Sequence, residues 1–369
     1  MGKKLGFGMM RLPMKGSEVD YEELNKMVDT YLERGFTYFD TALMYCDGKS
    51  EEAVKKAIIE RHPRDKYTIA TKLHAGFFKN KEERDNVFKG QLEKTGAGYF
   101  DYYLIHDVNS HSYPHFVEND CFNWLREQKE KGLVKTMGFS FHDCPEFLDK
   151  VLTEHPEMEF VQLQINYLDW ESMGVQSRKC YEVAEKHGKK VIVMEPVKGG
   201  TLANIPSSAE AMFKARDSKA SVPSWAIRFA ASLPNVMMVL SGMSNLSQLM
   251  DNTDYMQDFK PLTEDEKQMV LKAADIINGN ITIPCTGCSY CTGGCPKNIA
   301  IPQFFSLYNA DMQECKEKGW TPQGEYYINL TKTNPKASEC IKCGKCEKIC
   351  PQSLPIRKYL EDVAKHFEG

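Results

Sequence analysis

Two hydrophobic periodicities interleave along the first three quarters of the chain. Eight short apolar runs recur about every thirty residues: Leu5–Met10, Thr37–Thr41, Thr68–Leu73, Tyr102–His106, Thr136–Ser140, Val161–Tyr167, Val191–Glu195 and Val236–Ser241. Between them, apolar residues fall three and four apart, the spacing of one helix face. Leu24, Met27, Val28, Tyr31 and Leu32 form such a face behind Asp20, with Glu23 placed as in a capping box and Gly35 past the end. Ser50 stands likewise before Glu51, Ala53, Val54, Ala57 and Ile58. Strands alternating with amphipathic helices imply a parallel sheet, and eight units imply an α/β fold, the closed (β/α)8 or TIM barrel. An open doubly wound sheet is the competing architecture. The Gly-x-Gly-x-x-Gly fingerprint expected after its first strand is missing.

Such a barrel collects its chemistry at the C-terminal ends of its strands. Asp40 and Tyr45 close or follow the second run, Lys72 the third and His106 the fourth. Ser140, Gln164 with Asn166, Glu195, and Ser241 with Gly242 end the remaining four. A free phenol, with a pKa of about 10, is a poor acid near neutral pH. A neighbouring ammonium favours the phenolate, and Lys72 can supply one while Asp40 holds it charged. His106 can bond a substrate oxygen or pass a proton to Tyr45. The four together can protonate a carbonyl oxygen while hydride reaches its carbon. The same residues would equally suit an Asp–Lys surface pair, a core tyrosine and a hydrogen-bonded histidine.

Thirteen cysteines occur, and eight fall into two runs of the form C-x2-C-x2-C-x3-C-P. The runs are Cys285, Cys288, Cys291, Cys295 and Cys340, Cys343, Cys346, Cys350. Three closely spaced thiolates can face one iron–sulfur cubane while the fourth serves the other cluster. The expected sets are therefore Cys285, Cys288, Cys291 with Cys350, and Cys340, Cys343, Cys346 with Cys295, holding two [4Fe–4S] clusters. A disulfide framework fits less well, and zinc prefers a single tetrad of separated pairs. The other five, Cys46, Cys121, Cys144, Cys180 and Cys315, show no ligand spacing and read mostly as small buried hydrophobes.

The two cysteine runs lie 44 residues apart, with Ile301–Tyr308 and Tyr326–Leu330 apolar enough to form helices between them. A helix from Thr263 to Asn278 should connect barrel and module, and Asn278-Gly279-Asn280 marks the boundary. The expected domains are 1–280, the barrel, and 281–369, a small mainly helical ferredoxin-like module.

With 47 Lys and Arg against 51 Asp and Glu, the net charge of −4 gives no electrostatic footprint for nucleic acid or an anionic membrane. No apolar stretch approaches the ~20 residues of a membrane span. The first residues lack the long apolar stretch of a secretory leader, so a cytoplasmic protein is expected.

Gly6-Phe-Gly-Met, Phe39-Asp-Thr-Ala-Leu-Met-Tyr45, Ala70-Thr-Lys72, Tyr103-Leu-Ile-His106, Gly138-Phe-Ser140 and Gln164-Ile-Asn-Tyr167 together resemble the aldo-keto reductase superfamily over about residues 5–262. With the cysteine runs, the whole chain resembles its members fused to an iron–sulfur module. The resemblance implies an oxidoreductase interconverting a carbonyl and an alcohol with NADPH or NADH. Its catalytic residues would be Asp40, Tyr45 as general acid and base, Lys72 and His106. Ser140 and Gln164 would hold the nicotinamide carboxamide, and Ser241, Gly242, Ser244, Gln248 and Asn252 the adenosine and phosphate end.

Three positions depart from that pattern. Phe141 stands where many members carry Asn. Met194-Glu195-Pro196 replaces an aromatic context, substituting a thioether contact for ring stacking. Ser241 to Asn252 contains no Lys or Arg, so NADH and NADPH both stay open. In a rival reading, electrons come from a ferredoxin or other carrier through the clusters to the substrate, without soluble nicotinamide. A redox-sensing regulatory barrel is a third reading. Other features carry less: His111 and His115 are spaced for a metal, but Pro114 favours a loop there. Lys198-Gly199-Gly200 could approach a pyrophosphate. Tyr167 and Trp170 would line a pocket or pack in the core.

Overall fold

The computed structural model describes residues 3–279, 282–285, 287–314, 320–350 and 352–369. Eight parallel strands close into a barrel: β1 Leu5–Gly8, β2 Tyr38–Asp40, β3 Thr68–His74, β4 Phe100–Val108, β5 Val134–Phe141, β6 Phe160–Gln164, β7 Lys190–Met194 and β8 Val236–Ser241. Neighbours pair in chain order, and β1 closes the ring against β8 at Leu5↔Val239 and against β2 at Phe7↔Phe39. The barrel reading holds, and the open sheet is excluded.

Alternation along the strands divides the core. Tyr38, Ala70, Leu104, Phe160, Ile192 and Leu240 fill the barrel interior. Phe7, Phe39, Ile69, Ile105, Phe139 and Val191 face the surrounding helices. Gly6 leaves room for the interior layer: a Cβ there would lie 2.7 Å from the Leu240 side chain and 3.0 Å from the Tyr38 ring, so they would have to shift.

Several boundaries differ from the sequence reading. A hairpin of Met14–Lys15 and Glu18–Val19 follows β1; strands of two residues carry no period to detect. Asp20 caps helix Tyr21–Glu33 as expected, but Glu23 does not complete the box: its Oε1 accepts from Leu246 N at 2.9 Å. Ser50 begins a helix, yet its Oγ donates to Met9 O at 2.9 Å rather than capping. Tyr113–Glu118 is a helix rather than a loop, since Pro114 falls in its first turn, where no N–H partner is required. Strands β3, β4 and β5 run past Lys72, His106 and Ser140, whereas β1, β6 and β7 stop short.

Helix Glu264–Asn278 carries a complete capping box between Thr263 and Glu266 and leads to the C-terminal module. That module is helical, with Ile301–Glu314, Pro322–Thr333 and Ile356–Phe367 packed around Phe304, Phe305, Tyr327 and Leu360. It docks on the loops that follow β6 and β7. Ser306 Oγ meets Ser172 Oγ at 3.1 Å, and Thr201 Oγ1 donates to Gln313 O at 3.3 Å. Val175 joins its core. Asn280, Cys315 and Pro351 lie outside the described residues. Among those described, no helix is long and apolar enough to cross a membrane.

Candidate active site

The C-terminal mouth of the barrel opens into a cleft of about 860 Å³. Asp40, Tyr45 and His106 line it, and Lys72 lies beneath them, fully buried. Lys72 Nζ pairs with Asp40 Oδ1, donates to Thr41 O at 2.8 Å, and sits 4.7 Å from the Tyr45 ring centroid. The His106 ring stands edge-on to Tyr45 at 6.0 Å. Four residues spread over 67 positions of sequence thus share one corner, as the strand-end argument requires.

Burial dominates the titration of this corner. It raises the Tyr45 phenol above its ordinary value, with Lys72 pulling the other way and Asp40 adding to the rise. The lowering expected from Lys72 is therefore present but outweighed, and Tyr45 rests as a neutral phenol. Burial works against the Lys72 ammonium, yet Asp40 and Tyr45 overcome it and hold the amine more firmly protonated. His106 is pushed well below its ordinary value, first by burial and then by Lys72, His74 and His142, so it is neutral.

Two features behind these residues escaped the sequence reading. Glu51, fully buried, accepts from Thr71 Oγ1 at 2.8 Å and Gln91 Nε2 at 2.7 Å. Gln91 also donates to Lys72 O at 3.0 Å and accepts from Tyr103 OH at 2.6 Å, which fixes the backbone of β3 under the amine. The second is a bulge. The register of β4 against β5 slips by one residue between Ile105 and Val108, and Asp107 takes φ +60°. Asp107 N donates to Ser140 Oγ at 2.8 Å, closing the bulge just beyond His106. No local pattern in the sequence marks it; only the pairing reveals the slip.

Five of the seven expected cofactor residues, Ser241, Gly242, Ser244, Gln248 and Asn252, line the same cleft, while Ser140 and Gln164 are buried behind its wall. Asn252 Nδ2 donates to Ser241 Oγ at 2.8 Å, and Gln248 Oε1 accepts from Ser244 N at 2.8 Å. Helix Leu246–Gln257 points its N-terminus at this end, capped by Asn245. A cation does stand at this end: Arg11, after β1, lies against Gly242, and its carbonyl accepts from Ser244 Oγ at 3.0 Å. Its guanidinium faces Glu195 Oε1 at 3.4 Å.

On β6, Gln164 is buried, with Nε2 donating to Asp169 Oδ2 at 2.9 Å, while Gln162 lies on the cleft wall. The Oε1 atoms of both are buried without a partner. Side chains two apart on a strand share a face, so sequence could not rank them. A carboxamide offers one acceptor and one pair of donors. Ser140 Oγ, which accepts from Asp107, keeps its hydrogen to give, and an unpartnered glutamine oxygen can receive. The residues present fit a nicotinamide.

Lesser candidates resolve into structure. His115 Nε2 bonds Phe78 O at 2.9 Å, and among the described residues no three His, Cys, Asp or Glu converge to hold a single metal ion. Tyr167 and Trp170 pack with Phe229 in the core. Gly199 and Gly200 line the cleft, and Lys198 turns inward to pair with Asp169 at 2.8 Å.

The cysteines form two groups. Cys295, Cys340, Cys343 and Cys346 surround one pocket walled by Ile299, Ile301 and Leu360. Cys285 lies within electrostatic reach of Cys288 and Cys350, and Cys291 within reach of Cys285 and Cys288. Burial raises Cys291 and pushes Cys346 up to about 11 as thiols. Neither makes a disulfide. Thiols packed together in an apolar wall and otherwise unused fit thiolate ligation of clusters.

A model of the aldo/keto reductase family matches residues 4–275, and one described as a 4Fe-4S dicluster domain matches residues 284–354. The chain belongs to the aldo/keto reductase family. This reductase carries a 4Fe–4S domain at its C-terminal end. It is 29% identical over 252 residues to an aldo-keto reductase of Mycolicibacterium vanbaalenii, spanning 68% of this chain and 82% of that one. Its fold resembles the holo form of an aldo-keto reductase from Bacillus halodurans, with TM-score 0.61, 23% identity, and 73% and 91% of the two chains covered. An aldo-keto reductase from Klebsiella pneumoniae, solved in complex with NADPH, gives 0.61 at 19% identity over 73% and 90%.

Proposed function

We propose that this reductase interconverts a carbonyl and an alcohol on a small organic substrate, using NADPH in preference to NADH. The Lys72–Asp40 ion pair beneath the Tyr45 ring, with neutral His106 at its edge, carries the reading. The bound nicotinamide would supply the hydride. Tyr45, a phenol held protonated by burial, gives its proton to the oxygen of the reduced carbonyl. Lys72 stabilises the phenolate that remains, and Asp40 keeps the ammonium charged and fixed. His106, kept neutral, positions the carbonyl oxygen by hydrogen bonding.

Ser140 and Gln162, with Gln164 behind, would hold the carboxamide. Ser241, Gly242, Ser244, Gln248 and Asn252 would take the phosphate and adenosine end at the helix N-terminus. Arg11 would add the cation that favours the 2′-phosphate of NADPH. Met194, on the cleft wall, would lie against the nicotinamide ring. The domains would divide at 280/281. The module would bind two clusters, on Cys285, Cys288, Cys291 and Cys350 and on Cys340, Cys343, Cys346 and Cys295. Such clusters supply single-electron steps, which suits an oxygen-poor cytoplasm and an electron carrier such as ferredoxin as partner.

Tyr45→Phe should lose turnover by roughly 10²–10⁴-fold while binding NADPH as the parent does, measured by fluorescence titration. Full turnover in that variant would sink the reading. One observation favours the ferredoxin-fed alternative: Tyr326 of the module stands edge-on to His142 on the cleft wall at 5.7 Å. Tyr327, beside it, accepts from Ala337 N at 3.0 Å, three residues before Cys340.

A further inference from the structure

The catalytic cleft is not made by the barrel alone. Trp320, Pro322 and Glu325, from the start of module helix Pro322–Thr333, form part of its wall. Glu325 and Asp107 both line it. The two carboxylates come from different units, and Asp107 directly follows the catalytic His106.

Neither carboxylate forms an ion pair among the described residues. Asp107 Oδ1 accepts from the Asn109 amide at 3.0 Å, and Glu325 accepts from the Asn329 amide at a long 3.5 Å and from the Trp320 indole. Burial raises the Glu325 carboxyl and the charge of Asp107 raises it further, while Lys332, Asn329 and Trp320 pull it down. Lys332, whose charge acts on Glu325, Asp143 and Asp107 from behind the cleft, donates to Asn329 Oδ1 at 2.8 Å, pairs with neither carboxylate of the cleft and is not part of its wall. His142, also on the wall, is 7% exposed and its Nδ1 has no partner. Burial lowers its pKa, so it contributes no positive charge. Of the other cations near the cleft, Lys72 is committed to Asp40, and Arg11 stands beside Glu195 at the cofactor end, away from these two carboxylates. Two carboxylates thus face one cavity beside a histidine whose Nδ1 has no partner, with the Trp320 ring, 65% exposed, at the rim. A cation relieves that repulsion and can lie on an indole face. A neutral hydroxyl would leave it in place, and an anion would add to it.

We propose that Asp107 and Glu325, with His142 and Trp320, form a subsite for a positively charged amine on the substrate, so that the cluster module reads part of the molecule whose carbonyl the barrel reduces. This rests on the carbonyl–alcohol reading above for the substrate's other end. It makes the module a component of the substrate site, whatever its clusters do with electrons.

The test is calorimetric titration of cluster-loaded, oxygen-free protein with amino alcohols of two to five carbons, against diols and hydroxy acids of equal length. The best amino alcohol should bind at least roughly tenfold more tightly than its diol, the hydroxy acid weakest. Glu325→Gln and Asp107→Asn should each cut that preference to about threefold or less while leaving the diol unchanged. Asparagine tolerates the left-handed backbone at 107, so the second variant keeps the bulge. Equal binding of amine and diol, absence of amine binding, or a preference surviving both substitutions would overturn the subsite. Binding is read without turnover, so a subsite that discriminates amines in a protein reducing no carbonyl would fault the redox reading instead.

Discussion

Barrel and cluster module fill their interiors with different material. The barrel closes Tyr38, Leu104, Phe160, Ile192 and Leu240 inside a ring of hydrogen-bonded strands, and its buried Lys72 ammonium is held by Asp40 Oδ1 and the Thr41 carbonyl. The module packs three main helices, and the wall of its pocket is four cysteines with a few aliphatic side chains. Its buried thiols Cys291 and Cys346 lie in the module's core among aliphatic and aromatic side chains and within reach of each other's groups. A scaffold of the first kind holds a catalytic corner unaided. One of the second kind places its thiols inside its helical core, so what the thiolates bind adds directly to the stability of that core.

The largest effect should come from removing a ligand. Cys346→Ser, or stripping iron with a chelator, should abolish protease protection beyond about residue 280 while the barrel keeps its own melting transition. A module that stays protected without iron would erase the contrast. Next is Lys72→Met, which leaves Asp40 buried without its partner. The barrel transition should lose about 3–5 kcal/mol and turnover should vanish, read by thermal melts and assay together.

Two glycines sharpen the seam between the regions. A Cβ at Gly138 would lie 2.5 Å from the Phe160 carbonyl oxygen, backbone that cannot move aside, so Gly138→Ala should destabilise the barrel by about 1–3 kcal/mol. A Cβ at Gly174 would meet the Leu307 side chain at 2.7 Å, so Gly174→Ala should spare the barrel and loosen module docking, read as faster hydrogen exchange in helix Ile301–Glu314.

The most gradual effect is acidification. Burial lowers His74, His106 and His142 below their ordinary 6.5, so the unfolded chain takes up protons first. Stability should be full above pH 6.5 and fall below it, by at most about 1.4 kcal/mol per histidine and pH unit. His142→Gln should flatten part of that slope in melts across the range.

The barrel was legible because its signal is periodic and repeated: eight apolar runs and amphipathic helices admit few topologies. The tetrad was legible because strand ends converge in any closed barrel, wherever they fall in the chain. What stayed hidden lacks a local signature. Arg11 reaches Ser244 across more than two hundred residues, and nothing near it in sequence marks a phosphate site. Gln162 and Gln164 share a face, so only the observed cleft separates them. The bulge at Asp107 exists only as a mismatch between two strands. Glu325 belongs to the cleft although it sits beyond the domain boundary, because docking, not patterning, brings it there.

The central claim is that the tetrad reduces a carbonyl with nicotinamide as donor. The most direct measurement is an oxygen-free assay of cluster-loaded protein over a panel of carbonyls, with either NADPH or reduced ferredoxin as sole donor. Turnover with NADPH alone, lost in Tyr45→Phe, is the result expected. Turnover with ferredoxin and none with NADPH would contradict it, and would mean that the clusters feed the cleft directly.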